Sequence, residues 1–306
     1  MDRRASSSSK RENLSAKAIF DAFQGKTEKR FGQNFLFDEK ISRKIVSAAG
    51  NLEGKTVLEV GPGPGGLTLE ILRQNVKKLF LLEFDRHWAD VWRNLRHIFG
   101  DKLEIIECDA LKFDLETVAP NIIISNLPYN ISTKLICGWF PKFHLHERLI
   151  LTFQKEVAAR FCASPCTKAY GRLSVLAQWK SEVSKMFDLE PGSFFPAPKV
   201  KSTVLKFVPF KLDQCPCAEK YSQFDDLLAL LFTHRRKVVV KSLGALLANP
   251  EEALKTLGHD KNTRAEEISI ANYLKILEKI CHGKAVWLMA GWTHHSLAQI
   301  LPQNFS

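Results

Sequence analysis

Five short apolar runs, each separated from the next by a stretch of helical character, narrow the folds open to this chain more than any other feature. They are Thr56–Val60, Leu79–Phe84, Leu103–Cys108, Ile122–Ser125 and Leu149–Phe153. Brief continuous apolar runs are what parallel strands covered on both faces require, and their alternation with helices indicates βαβ units. Two later runs, Glu182–Leu189 and Thr203–Val208, flank a loop rich in Pro and Phe and are expected to pair as an antiparallel hairpin on the sheet edge. The prediction is an α/β, Rossmann-like sheet of seven strands with the last one reversed. After Pro209 the character changes. Asp213–Glu219 is a polar linker, and Tyr221 to His282 is helical with no convincing strand. Phe224, Leu227, Leu228, Leu231 and Phe232 recur at helical spacing, so that face is expected to pack inward. The expected organisation is a flexible basic tail over 1–27 with a short helix around Ala16 to Phe23, an α/β domain over 28–210, a small all-helical domain over 211–283, and an extension over 284–306 with no assigned role.

The first strand runs into Gly61-Pro62-Gly63-Pro64-Gly65-Gly66 before the helix begun by Leu67. Glycines let a backbone turn tightly and come close to a ligand. Gly61, Gly63 and Gly66 satisfy the GxGxxG spacing, and Glu83 ends the second strand, placed to accept hydrogen bonds from ribose hydroxyls. A dinucleotide would fit that much. Pro62 and Pro64, however, remove N–H donors from a loop that would otherwise cradle a pyrophosphate. Asp109, after the third strand, adds an acid suited to an adenine amine. Acids at the ends of strands one, two and three favour a nucleoside carrying a cationic sulfonium, with ordinary strand-end acids as the plain alternative.

The fourth strand ends in Ser125-Asn126-Leu127-Pro128-Tyr129-Asn130. An aromatic amine is a poor nucleophile because its lone pair is delocalised into the ring. The Asn126 amide oxygen and the Leu127 carbonyl, accepting its two N–H bonds, would draw that lone pair out of conjugation. Pro128 would fix the turn that presents the carbonyl, and Tyr129 offers a ring for stacking. Such a site works by orientation and electrostatics, with no strong general base. Between the last two strands, Phe194-Phe195-Pro196-Ala197-Pro198-Lys199-Val200 is stiffened by two prolines. Phe194 is the candidate for the opposite face of a base taken out of its stack, and Phe195 is assigned to covering the core.

The chain has 306 residues, with 44 Lys and Arg against 33 Asp and Glu, a net charge of +11. That surplus favours a polyanionic partner, nucleic acid or anionic membrane. His234-Arg235-Arg236-Lys237, with Lys241, is expected on a helix of the second domain, either as a solvated face or as a phosphate-gripping surface to which Lys29 and Arg30 add. Seven scattered cysteines, an odd count, are read as reduced thiols of a cytosolic protein. No zinc site is expected from the spacings of Cys162, Cys166, Cys215 and Cys217, and the histidines have no ligand-like arrangement. The basic, Ser-rich N-terminus lacks the apolar core of a secretory signal, and no apolar run approaches the ~20 residues that span a bilayer.

From about Lys29 to Leu277 the chain resembles the small-subunit ribosomal RNA adenine dimethyltransferase family. The resemblance is carried by KRFGQNFL at 29–36, the Gly61 loop, NLPYNIS at 126–132, KAYGRLS at 168–174, the FxPxPxV pattern from Phe194 to Val200, HRRK at 234–237 and RAEEIS at 264–269. It implies a class I methyltransferase sheet, with the last of seven strands antiparallel, and a helical C-terminal domain, where Arg235, Arg236 and Lys237 of the basic cluster are the candidate RNA contacts. It implies S-adenosylmethionine as cofactor, contacted by Asn34, Leu36, Gly61, Glu83, Asp109 and Asn126. It further implies transfer of four methyl groups to two adjacent adenosines in a hairpin near the 3′ end of small-subunit rRNA. A cytoplasmic monomer acting on rRNA in a ribosomal particle, with no membrane partner and no metal, is the corresponding expectation. Departures from the pattern are the N-terminal tail, the Gly65-Gly66 pair and the stretch past Lys284. A large-subunit rRNA adenine methyltransferase of the antibiotic-resistance type is the nearest alternative, and KAYGRLS and RAEEIS argue against it. A DNA adenine methyltransferase lacks support, since nothing resembles a domain reading a major groove. A catalytically idle ribosome-assembly or transcription factor is the alternative from another class, disfavoured by the intact Asn126 and Tyr129.

Overall fold

The computed structural model describes residues 14–25, 27, 32–215 and 220–282. In chain order the elements are α1 (Ala16–Ala22), β1 (Phe35–Leu36), α2 (Glu39–Ser47), β2 (Thr56–Val60), α3 (Gly66–Leu72), β3 (Lys78–Glu83), α4 (Arg86–Phe99), β4 (Leu103–Glu107), β5 (Ile122–Ser125) and α5 (Tyr129–Trp139). They continue with β6 (Arg148–Gln154), α6 (Lys155–Phe161), α7 (Arg172–Lys180), β7 (Ser181–Leu189), β8 (Phe194–Phe195), β9 (Ser202–Pro209), α8 (Tyr221–Thr233), α9 (Val239–Leu243), α10 (Pro250–Lys255) and α11 (Ile270–His282). Two compact units result. One runs to Cys162 and resumes over Lys180–Lys211; the other takes Ala163–Trp179 and the described residues from Leu212 onward.

The first unit is built on a seven-stranded sheet in the order β4-β3-β2-β5-β6-β9-β7. Strands β2 to β6 pair in parallel, and β9 is antiparallel to both β6 and β7. The reversed last strand lies inside the sheet, with β7 at the edge. Strands β2 and β5 are neighbours although β3 and β4 intervene in sequence, so the chain reverses its winding there and their C-terminal ends part. In open α/β sheets that switch point is where ligands bind.

Helices cover the sheet through faces the sequence spaces at three and four residues. In α4, Trp88, Val91, Trp92, Leu95 and Phe99 are buried, and Asp85 caps the helix by accepting from the His87 N–H. In α2, Asp38 caps by accepting from the N–H groups of Lys40 and Ile41, and Ile45 and Val46 go into the core. Helix α1 is the short helix expected around Ala16 to Phe23 within the tail. Ser15 caps it, and Ile19 is 2% exposed within the same core cluster as Phe35, Trp88 and Trp92. Apolar side chains at helical spacing dock these roughly two turns of helix. Residues 1–13, with the basic start of the tail, and Lys29 and Arg30 lie outside the described residues.

The second unit is helical, as the periodicity implied, with one isolated bridge between Val238 and Arg264. Phe224, Leu227, Leu228 and Leu231 are its inward face on α8. Trp179 packs edge-on against Phe224, and the Tyr170 hydroxyl donates to the Ile268 carbonyl at 3.0 Å. The KAYGRLS stretch therefore groups with the helical unit and not with the 28–210 domain. Its aromatic Tyr170 and the buried Val175, Leu176 and Trp179 give that unit part of its core. Trp287, Trp292 and the rest of the 284–306 extension lie outside the described residues. Among the described residues no helix is long and apolar enough to cross a membrane.

Candidate active site

At the switch point a cavity of about 390 Å³ opens, within the usual range of ligand sites, roughly 300–1,000 Å³. Asn34, Leu36, Gly61, Glu83, Asp109, Asn126, Leu127, Pro128 and Tyr129 all line it. Residues from five separate stretches of sequence thus converge on one space.

The turn after β2 forms the floor. Its Gly61 N–H donates to the Leu82 carbonyl at 2.8 Å, and the Gly65 N–H to the Pro62 carbonyl at 2.9 Å. Gly63 and Gly65 hold φ of +51° and +96°, a region that side-chain-bearing residues avoid. A Cβ on Gly63 would stand 2.5 Å from the Phe35 ring, and one on Gly65 would stand 2.2 Å from the Trp92 ring. The glycines are therefore required by what packs against the turn as well as by its conformation.

Three acids surround the turn. Glu59 is 2% exposed and accepts from the Thr68 hydroxyl at 2.6 Å. Burial pushes its carboxyl up to about 8, opposed by the Thr68 bond and reinforced by Glu83 nearby. Glu83 accepts from the Asp85 N–H at 2.9 Å and the Gly63 N–H at 3.2 Å. Burial pushes it up to about 7, because the two N–H donors offset only part of the lost hydration and the Asp85 charge adds to the rise. Asp109 accepts from the Leu111 N–H at 3.0 Å. Gln33, for which the sequence alone suggests no role, also lines the cavity and donates to Asp85 at 3.0 Å. Phe84, 61% exposed on the same wall, was likewise assigned only to a strand; a large apolar side chain beside a ligand-facing acid was its one signal.

The opposite wall comes from β5. The Ser125 hydroxyl donates to the Val60 carbonyl at 2.6 Å, tying the ends of β5 and β2 together. Pro128 stands at the start of α5, its carbonyl accepting from the N–H groups of Ile131 and Ser132. The Asn126 Nδ2 donates to the Asn34 carbonyl at 2.8 Å, which fixes the amide's orientation. Its Oδ1 is buried and has no hydrogen-bond partner among the described residues. A buried acceptor left unpaired costs roughly 1–3 kcal/mol, so it is a standing attraction for a donor entering the cavity. The Tyr129 hydroxyl pairs with that of Ser202 on β9, which holds the ring in place.

Two expectations need correction. Phe194 does not line the cavity: it is 5% exposed and belongs to the core, whereas Phe195 is 50% exposed. Strand β8 pairs antiparallel with β1, Leu36 opposite Phe194 and Phe35 opposite Phe195, and successive strand side chains point to opposite faces. The pairing turned inward the phenylalanine that was expected at the base. Of the basic cluster, Lys241 lies on α9, but His234 to Lys237 are not on a helix. Helix α8 ends at Thr233, and Arg235, Arg236 and Lys237 occupy the turn before α9, where Val238 bridges to Arg264. Arg236 and Lys237 are exposed, while Arg235 is half-buried, donating to the Lys168 carbonyl at 3.2 Å and standing 3.8 Å from Glu266.

A reversed strand inside a seven-stranded sheet, a glycine turn ringed by acids at its switch point and an Asn-Leu-Pro-Tyr wall facing that turn define a Rossmann-like methyltransferase. The chain belongs to the ribosomal RNA adenine dimethylase family, whose sequence model matches residues 24–281. Among its relatives, ribosomal RNA small subunit methyltransferase A of Azorhizobium caulinodans is 40% identical over 258 residues, covering 81% of this chain and 87% of that protein. A dimethyladenosine transferase from Plasmodium falciparum has a similar structure, with a TM-score of 0.70 and 26% identity over 81% of this chain and 98% of its own. The 23S rRNA methyltransferase ErmE shares the fold, with a TM-score of 0.61 at 22% identity, over 81% of this chain and all of its own.

Proposed function

We propose that the protein uses S-adenosylmethionine to dimethylate the exocyclic amines of two adjacent adenosines in the 3′-terminal hairpin of small-subunit rRNA. The observation that carries the reading is the buried Asn126 Oδ1 at the wall of the cavity, which has no partner among the described residues. An acceptor without a donor of its own is what an incoming N–H completes.

The residues present fit the cofactor. Glu83 offers a carboxylate to ribose hydroxyls and Asp109 an acceptor to an adenine amine. Pro62 and Pro64 leave the turn poor in the N–H donors a pyrophosphate needs. Asn34, Leu36, Gly61 and Asn126 complete the contacts. When bound, the cofactor supplies an electrophilic methyl group on a sulfonium centre.

The protein's own part is to prepare the amine. Asn126 Oδ1 and the Leu127 carbonyl accept the two N–H bonds, so the nitrogen lone pair leaves conjugation and points along one direction. The Tyr129 ring, anchored by Ser202, stacks on the base and excludes water. Substrate adenosines reach this space only when taken out of their stack. Arg236 and Lys237, with Arg235 braced by Glu266, supply phosphate contacts that set register and carry no sequence information. The protein acts as a monomer on rRNA within a ribosomal particle.

The test is incubation with methyl-labelled S-adenosylmethionine and small subunits lacking the modification, with large subunits and duplex DNA alongside, followed by nucleoside analysis. Dimethyladenosine from small subunits alone is expected. Label in the large subunit would overturn the substrate, and no label anywhere would overturn the activity.

A further inference from the structure

We infer that Trp92 is a positioning residue, which holds the glycine turn in its ligand-ready conformation through a hydrogen bond from its indole to the Gly63 carbonyl. The inference rests on the proposed assignment of that turn to S-adenosylmethionine.

Trp92 is fully buried on α4, and its Nε1–H donates to the Gly63 carbonyl at 2.7 Å. The Gly63 N–H is in turn held by Glu83 at 3.2 Å. Both polar ends of this one residue are therefore gripped from the β3–α4 segment, the N–H by the last residue of β3 and the carbonyl by α4. The Phe35 ring closes over its Cα, and the Trp92 ring fills the place a side chain at Gly65 would take. Glycines at positive φ have other peptide orientations close in energy, and the two prolines between them contribute no N–H to restrain the turn. Fixing the carbonyl in advance removes that freedom before the ligand arrives, and a ligand that need not order its site binds more tightly. Gly63 thus joins the indole, through its carbonyl, to the carboxylate proposed to take the ribose, through its N–H.

The helix carries its own control. Trp88 lies one turn earlier, is equally buried, and has an Nε1–H with no partner among the described residues. Replacing either indole by phenylalanine removes similar volume, but only at 92 does it remove a bond to the turn.

The experiment is calorimetric titration of S-adenosylmethionine, and separately of S-adenosylhomocysteine, into full-length wild type, Trp92→Phe and Trp88→Phe, with a thermal melt of each. Trp92→Phe is expected to weaken both ligands about five- to tenfold, the value of one hydrogen bond, while Trp88→Phe stays within about twofold. Benzothienylalanine at 92, which keeps the ring shape and lacks the N–H, is expected to match Trp92→Phe. It decides the matter should the phenylalanine variant not fold. Wild-type affinity in both variants at 92 would overturn the inference alone, as would an equal loss in Trp88→Phe. A wild type that binds neither ligand would bring down the cofactor assignment and this inference with it.

Discussion

On the wall proposed for the cofactor, every acid already accepts a hydrogen bond: Glu59 from Thr68, Glu83 from Gly63 and Asp85, Asp109 from Leu111. On the wall proposed for the amine, Asn126 is pinned through its Nδ2 while its Oδ1 accepts nothing from the described residues. One wall is organised before any ligand enters; the other holds its acceptor in place and lets the ligand complete it. The contrast separates two tasks. Damage to the first should weaken binding, and damage to the second should slow transfer at saturation.

On the cofactor wall the largest effect is expected at Glu83. Hydrogen bonds to a charged group contribute about 1.5–3 kcal/mol, so Glu83→Ala should weaken S-adenosylmethionine by about 10- to 100-fold in calorimetry. Turnover at saturating cofactor should change far less. Gly65→Ala tests the wall's packing. Its Cβ would stand 2.2 Å from the Trp92 ring at a φ of +96°. A destabilisation of about 1–3 kcal/mol is expected, read as a lower melting temperature of the free protein.

The third effect is a pH dependence. Glu83 is pushed up to about 7, and ribose donors favour its ionised form. Cofactor affinity should therefore fall as pH drops below about 7, and binding near pH 6.5 should release a proton, visible as a dependence of the apparent binding enthalpy on buffer. Glu83→Gln should flatten both. For the free protein the sign reverses. Between the ordinary carboxylate range and about 7 the folded chain holds more protons than the unfolded one, so this group's contribution to stability falls as pH rises. The smallest effect belongs to Tyr129→Phe, which keeps the ring and loses only the hydroxyl paired with Ser202. A two- to threefold fall in turnover, about half a kcal/mol, is expected in the labelled-methyl assay.

The strands were legible because burial on both faces leaves short continuous apolar runs, and the glycine turn because it joins the first of them to a helix. The reversed seventh strand followed from its place after a Pro-rich loop, but its position inside the sheet depends on pairing with β6, residues some fifty positions away in sequence. Asn126, Glu83 and Asp109 are legible from their places at strand ends, whereas Asn34 and Leu36 come only from the resemblance. Phe194 was misplaced because a two-residue strand pairing with β1 decides which of two phenylalanines turns inward. Trp92 was invisible for the same kind of reason. It reads as one more apolar position on a helix face, and only the fold brings its indole to Gly63.

The most direct test of the account is a single-turnover measurement on Asn126→Ala with cofactor at saturation, beside a titration of the same variant. Loss of one preorganised polar contact to a reacting group typically costs about 10²–10³ in rate. A fall in methyl transfer of that size, larger than any loss of cofactor affinity from the contact Asn126 also makes, is the expected result. Transfer at the wild-type rate, or a loss of binding that accounts for the whole defect, would contradict it.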